Sequence, residues 1–111
     1  MNYKLSKEDD NDLIDLYLHG FKNFGESQAE QYYFEIEDCI KLLSETPLIC
    51  RERTEFTPAV RIHHHGSHLI IYRIQTDHIL VIRILHDSMD IQRHIKMYWS
   101  SPTGHFFREF S

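Results

Sequence analysis

From residue 7 to residue 46 the apolar positions recur every three or four residues, and from residue 60 onwards they recur mainly every second one. A change of period from 3.6 to 2 marks a change from helix to strand. Residues 2–5 predict a short strand ahead of the helices. Ser6-Lys7-Glu8-Asp9 has the composition of a helix start, with Ser6 as N-cap and Asp9 reaching back from the third position. Leu13, Leu16, Tyr17, Phe21 and Phe24 then build one apolar face. Gly25 offers the backbone freedom of a helix stop, and Ser27-Gln28-Ala29-Glu30 reads as a second capping box. Tyr32, Tyr33, Ile36, Cys39, Ile40 and Leu43 carry a second stripe as far as Pro47. Two helices joined by so few residues pack antiparallel.

Residues 47–57 keep no period and read as a loop that crosses to a sheet. Residues 60–65, 68–75 and 78–86 are three strands rich in Val, Ile and Tyr, separated by the turn signals Gly66-Ser67 and Thr76-Asp77. They predict an antiparallel meander. Leu69-Ile70-Ile71 and the run from Ile79 to Ile82 are apolar on both faces, so the last two strands are expected to be the most buried. Residues 87–96 predict a short C-terminal helix with Met89, Ile91 and Ile95 as apolar contacts. Residues 99–111 predict a tail around Pro102 and Gly104, which carries Phe106, Phe107 and Phe110. The expected fold is α+β, ordered β-α-α-β-β-β plus the short helix, with the α-hairpin packed on one face of a curled antiparallel sheet. The expected division is one domain over residues 1–98 and a tail over 99–111.

Composition narrows the function more than the fold. A chain of 111 residues with 41% hydrophobic and 26% charged positions has the make-up of one globular domain. No apolar run reaches membrane-spanning length, and the N-terminus carries no hydrophobic signal region, so a cytoplasmic location without membrane contact is expected. The net charge of −5 hides an asymmetry: residues 1–50 hold four Lys against eleven acids, and residues 51–111 hold eight Lys or Arg against six acids. That is not the strongly basic balance of a domain that holds nucleic acid mainly through its phosphates.

The chemistry-bearing side chains cluster in the second half. His63 and His65 share one strand face and His64 points the other way, while His68, His78 and His86 lie near strand ends. Such histidines could serve as an acid–base pair, or simply bond backbone and face water. They have no Asp, Glu or Cys at ligand spacing, and Cys39 and Cys50 match no zinc pattern, so neither a metal nor another cofactor is expected. Cys39 falls within a helical stripe and reads as core filler. Arg61 alternates with His63 and His65, a pattern that marks a solvated outer face or a surface for a macromolecule. Arg83 sits inside an apolar strand and needs a carboxylate partner if buried, for which Asp90 is a candidate.

The order of these features is similar to that of the ParE/RelE superfamily of bacterial toxins, and specifically to ParE. Arg83-Ile84-Leu85-His86 followed by Ser88-Met89-Asp90 resembles the end of the last strand in many ParE toxins. Gly66-Ser67-His68 with Ile70, Ile71 and Tyr72 resembles the family's second-to-third-strand hairpin. Phe24-Gly25 with Gln28-Ala29 and Tyr32 is similar to its helix–helix junction, and Leu42-Leu43 before Pro47 to the end of its second helix. The likeness covers about residues 1–97. Ile49-Cys50-Arg51 departs from the glycine or basic residue that usually follows the proline, and the acidic total departs from the family's common basic balance.

The resemblance implies the toxin of a type II toxin–antitoxin system: a non-enzymatic inhibitor of DNA gyrase, neutralised by a ParD-like antitoxin. It places gyrase contacts at the C-terminal segment, where Arg83, His86, Asp90, Arg93 and Lys96 are the candidates. Antitoxin contacts are expected on the hairpin and neighbouring strands, at Leu13, Leu16, Tyr17, Phe21, Phe34, Arg61, His63 and Arg73. Leu18, Phe34 and Leu42 are surplus apolar positions off the main stripes, consistent with a groove for a partner. The alternatives are a RelE-like ribosome-dependent messenger RNA endoribonuclease, or a degenerate toxin that only binds antitoxin. The nucleolytic members stabilise the phosphate with clustered cations. In register, their third-strand arginine falls at about Leu69 and the arginine after the last strand at about Asp87. An apolar side chain and a carboxylate cannot do that work.

Overall fold

A computed structural model describes residues 1–89 and residue 91. Strand β1 (Asn2–Leu5) leads into helices α1 (Lys7–Phe24) and α2 (Glu26–Glu45). The chain continues through a two-residue strand β2 (Glu52–Arg53) to strands β3 (Val60–His65), β4 (His68–Ile74) and β5 (His78–His86). The sheet runs in the order β1-β5-β4-β3-β2. The meander β3-β4-β5 is antiparallel as expected, but β1 pairs parallel to β5, which makes the sheet mixed. The short β2 interrupts the segment that reads as a loop in the sequence; two residues are too few to show a period. Most of the expected helix over residues 87–96, and all of the 99–111 tail, lie outside the described residues.

The two apolar periods meet in one core. Leu13 and Leu16 of α1 and Ile36, Ile40 and Leu43 of α2 pack on Ile70, Tyr72, Ile79, Val81 and Ile84 of the sheet. The opposite sheet face is apolar too: Val60, Ile71, Leu80, Ile82 and Leu85 cluster with Phe56, and Ile91 packs against them. Strands β4 and β5 are thus buried on both sides, which is why their sequences lose alternation. Tyr72 is fully buried, and its hydroxyl is satisfied by donation to the Pro47 carbonyl at 2.8 Å.

Helix α1 also completes the edge of β5. Strand β1 pairs with β5 only as far as Leu5 opposite Val81. Beyond that point Ser6 takes over: its amide donates to the Val81 carbonyl at 3.0 Å and its hydroxyl to the Ile82 carbonyl at 2.6 Å. The same hydroxyl oxygen accepts from the Asp9 amide at 2.9 Å, so the predicted N-cap stands. The reciprocal half of the predicted capping box does not form. The Ser6 amide is committed to β5, and the Asp9 carboxylate is buried without a hydrogen-bond partner. The second box is also absent, because α2 begins at Glu26 with Gly25 (φ 89°) as its cap, which puts Ser27 inside the first turn.

Register shifts between Ile71 and Tyr72, which pair with Arg83 and Val81 and leave Ile82 as the extra residue of a bulge in β5. Just beyond the bulge, Arg83 meets Asp12 of α1 through two bonds of 2.8 and 3.0 Å. Asp12 Oδ2 accepts the Ile84 amide as well, at 2.9 Å. The carboxylate expected for Arg83 is therefore supplied by α1; the candidate proposed from sequence, Asp90, lies outside the described residues.

Candidate functional site: the outer face of the hairpin and the histidine edge of the sheet

Helix α1 has two apolar faces where the sequence suggests one. Leu13 and Leu16 turn into the core. Ile14, Leu18 and Phe21, at spacings of four and three, turn away from it and are 56%, 57% and 50% exposed. From α2, Tyr33 and Phe34 meet this outward stripe. Ile14, Tyr17, Leu18, Glu30, Tyr33 and Phe34 line an open, almost wholly apolar groove of about 410 Å³. Its aromatic wall is ordered by edge-on contacts between Tyr17 and Tyr33 and between Tyr33 and Phe34, with centroids 6.1 and 5.8 Å apart. Contiguous apolar stripes on outer helical faces are features shared by protein-contact surfaces and ligand grooves. Burial, Glu37 and Asp10 hold the Tyr33 phenol above its ordinary pKa.

Among the residues expected at an antitoxin surface, Tyr17, Phe21 and Phe34 therefore lie on or beside the groove. Leu13 and Leu16 do not; they are core residues of the hairpin–sheet interface and offer no outward surface. Ile14 was missed because it stands beside Leu13, inside what reads as a single stripe. The signal that finds it is its spacing of four to Leu18.

The second surface lies across the strands. Arg61 and His63 oppose Tyr72 and Ile70, residues of the helix-side core, so this face of β3 turns toward α2 and is not the solvated outer face suggested by its charges. Arg61 donates to the Cys50 carbonyl, and His63 Nδ1 lies 3.7 Å from Cys50 Sγ. Burial, followed by the His65 and His64 charges, lowers the His63 pKa. Arg73 sits on β4 opposite Leu80; with Arg61, Glu52 and Pro58 it lines a small pocket of about 170 Å³. His65 is held by three α2 residues. Its Nδ1 is 3.3 Å from Cys39 Sγ, its Nε2 is 3.1 Å from Glu35 Oε1, and its carbonyl accepts from the Tyr32 hydroxyl at 3.2 Å. Cys39 packs against the core as its place in the helical stripe predicts, and being half-buried at the rim it also meets His65.

Tyr32 also fixes the β3–β4 turn. Its oxygen accepts the Ser67 amide at 3.3 Å and lies 2.8 Å from His68 Nδ1. Gly66 (φ 55°) passes so close that an added Cβ would stand 2.7 Å from the Tyr32 oxygen, so both the conformation and the space require glycine.

At the end of β5, His86 and His68 rings meet edge to face at 5.4 Å. Burial and the His86 charge lower the His68 pKa. A cleft of about 420 Å³ beside them is lined by Asp12, Asp15, His19, His68, His86 and Ser88 among others. Of the expected target contacts, Arg83 is paired to Asp12 and 22% exposed, and His86 opens on this cleft. Asp90, Arg93 and Lys96 lie outside the described residues. At the two positions expected from sequence to replace nucleolytic arginines, Leu69 pairs with Leu85, and Asp87 stands 3.5 Å from His64 and 3.4 Å from His86. Neither position offers a fixed cation for a phosphate. Among the described residues no three His, Cys, Asp or Glu side chains converge on a metal-sized point, and no helix is long and apolar enough to cross a membrane.

This architecture has known counterparts. The family model for the ParE toxin of the type II toxin–antitoxin system parDE matches residues 3–91. The chain is 29% identical over 93 residues to Toxin ParE1 of Caulobacter vibrioides, covering 84% of this chain and 96% of that one. It is 32% identical over 94 residues to Toxin ParE1 of Mycobacterium tuberculosis, with the same coverage. A solved chain of a chromosomal ParDE system from P. aeruginosa shares the fold with a TM-score of 0.67 at 22% identity, covering 78% of this chain and 95% of that chain. The model match spans the β1 strand, the hairpin and the whole meander, and by it the chain belongs to the ParE toxin family of type II toxin–antitoxin systems.

Proposed function

We propose that this ParE toxin is a non-enzymatic inhibitor of DNA gyrase, kept silent in the cytoplasm by a ParD-like antitoxin that docks along the outer face of the α-hairpin. The observation that carries the antitoxin half is the groove of Ile14, Leu18, Tyr33 and Phe34, an apolar surface that the chain's own described residues leave open. A helix laying apolar anchors into such a groove, and folding as it does so, is a common mode of recognition. Tyr17 and Phe21 extend the docking surface, and Arg61, His63 and Arg73 are its proposed continuation on the sheet. The gyrase half rests on family membership, and Asp87 and Leu69 favour it over RNA cleavage because they remove two cationic positions from the nuclease site. Gyrase contact is assigned to Arg83, His86, Asp90, Arg93 and Lys96, with nucleic acid approached only through gyrase or through the antitoxin.

The docking claim has a direct test. Placing a carboxylate in the groove with Leu18→Glu or Phe34→Glu is expected to weaken the antitoxin complex at least about 30-fold, since a central apolar anchor contributes about 2 kcal/mol or more. Both side chains already face water, so the fold should be unaffected. In cells the variants should arrest growth even when the antitoxin is co-expressed, whereas the parent chain should be neutralised. Unchanged affinity and full neutralisation would place the antitoxin elsewhere.

A further inference from the structure

We propose that Cys39, His65 and Glu35 form a base-assisted nucleophilic thiol that reacts with small neutral or cationic disulfides. The geometry follows the logic of an activated nucleophile: thiol, base within hydrogen-bond reach, and a third group that orients the base. Cys39 Sγ lies 3.3 Å from His65 Nδ1, and His65 Nε2 lies 3.1 Å from Glu35 Oε1. His65 Nε2–H donates to the Glu35 carboxylate, which leaves Nδ1 as the acceptor facing the thiol. Glu35 and Cys39 are one turn apart on α2, and the Tyr32 ring, one turn before, packs on the imidazole with centroids 5.8 Å apart. One helix face thus locks a single histidine ring from three sides. Cys39 is half-buried, at the rim of the core and not sealed within it.

A base is needed here. Burial, Asp38 and Glu35 push the Cys39 thiol above its ordinary pKa, so at neutral pH it is protonated. Attack on a disulfide R–S–S–R transfers the thiol proton to His65 Nδ1 as the Sγ–S bond forms and the old S–S bond breaks. The leaving thiolate takes the proton back from the imidazolium, giving a mixed disulfide and one free thiol. The disulfide is the only oxidant. Glu35 stabilises the imidazolium in between. Tyr32 of α2, His63 and His64 on the same strand, and His68 on β4 are the other ionisable side chains near His65. The carboxylates of Glu35 and Asp38 disfavour an anionic reagent.

Cys50 provides the contrast within the same chain. Its sulfur is 3.7 Å from His63 Nδ1, and no carboxylate orients that ring among the described residues.

The test is the rate of mixed-disulfide formation with cystamine on the full chain between pH 6 and 9, read by intact mass and assigned by peptide mapping. Cys39 is expected to react at pH 7 at least about tenfold faster than in His65→Gln. The parent should keep a Cys39 rate at the lower pH values that the variant lacks, since the variant's rate should rise only with thiolate. Glu35→Gln should fall between them, and it supplies the comparison if His65→Gln fails to fold. Cystamine should outpace glutathione disulfide once both rates are scaled to a simple thiol. Equal Cys39 rates and the same pH profile in the parent and both variants would overturn the proposal, as would modification of Cys50 with Cys39 untouched.

Discussion

Asp9→Asn is expected to be more stable than the parent chain, by a margin that grows by about 1.4 kcal/mol for each pH unit between roughly pH 4 and pH 8. Asp9 is fully buried at the start of α1, and neither carboxylate oxygen has a hydrogen-bond partner. Burial first, then the charges of Asp12 and Asp10, push its pKa up to about 8, against a smaller opposing pull from Arg83. Tyr33 of α2 also feels its charge. The sign follows from proton counting. The unfolded chain releases this proton near the ordinary aspartate value, while the folded chain keeps it until about pH 8. Folding therefore takes up a proton across that window, and stability is lost as pH rises through it. Asparagine carries no such proton, so its advantage should reach a plateau above pH 8. Denaturant unfolding of both proteins at several pH values measures the margin. Parallel stability curves would show that Asp9 ionises normally.

Asp12→Ala is expected to cost about 3 to 4 kcal/mol. Asp12 and Arg83 are only 11% and 22% exposed, so their attraction is poorly screened and the pair is not an ordinary surface bridge. Alanine removes both guanidinium bonds and leaves the Ile84 amide, beyond the end of β1, without its acceptor. Relief of the neighbouring Asp9 returns part of the loss. Asp12→Asn should recover about half of the deficit, because one amide oxygen can still accept from Ile84 or Arg83. Equilibrium unfolding at pH 7 gives the numbers, and a loss under about 1 kcal/mol for alanine would mean that the contact does not hold α1 to β5.

The contrast between these two aspartates shows what the sequence could disclose. Local signals were legible: Ser6 as a cap, Gly25 as a stop, Gly66-Ser67 as a turn, and the doubly apolar runs of β4 and β5. Each depends on neighbours in the chain. The pairing of β1 with β5, the Asp12–Arg83 bridge and the Cys39–His65–Glu35 contact join residues far apart in sequence, and no period encodes them. The α1 stripe shows the same limit within one helix. Leu13 and Ile14 are adjacent and both apolar, yet only the position of the sheet decides which one is core and which one lines the groove. Charge misled for a related reason. Arg61 and His63 suggest a solvated face, but β3 lies near the sheet edge, where both side chains turn to Cys50 in the segment after α2.

Under the proposed function, this member of the ParE family acts on gyrase by binding and not on messenger RNA by catalysis. The most direct measurement adds the purified chain to a DNA gyrase supercoiling reaction, beside a ribosome-programmed messenger as a parallel substrate. Inhibited supercoiling that the cognate antitoxin relieves is expected, with the messenger left intact. Cleaved messenger with supercoiling unaffected would contradict the proposed function.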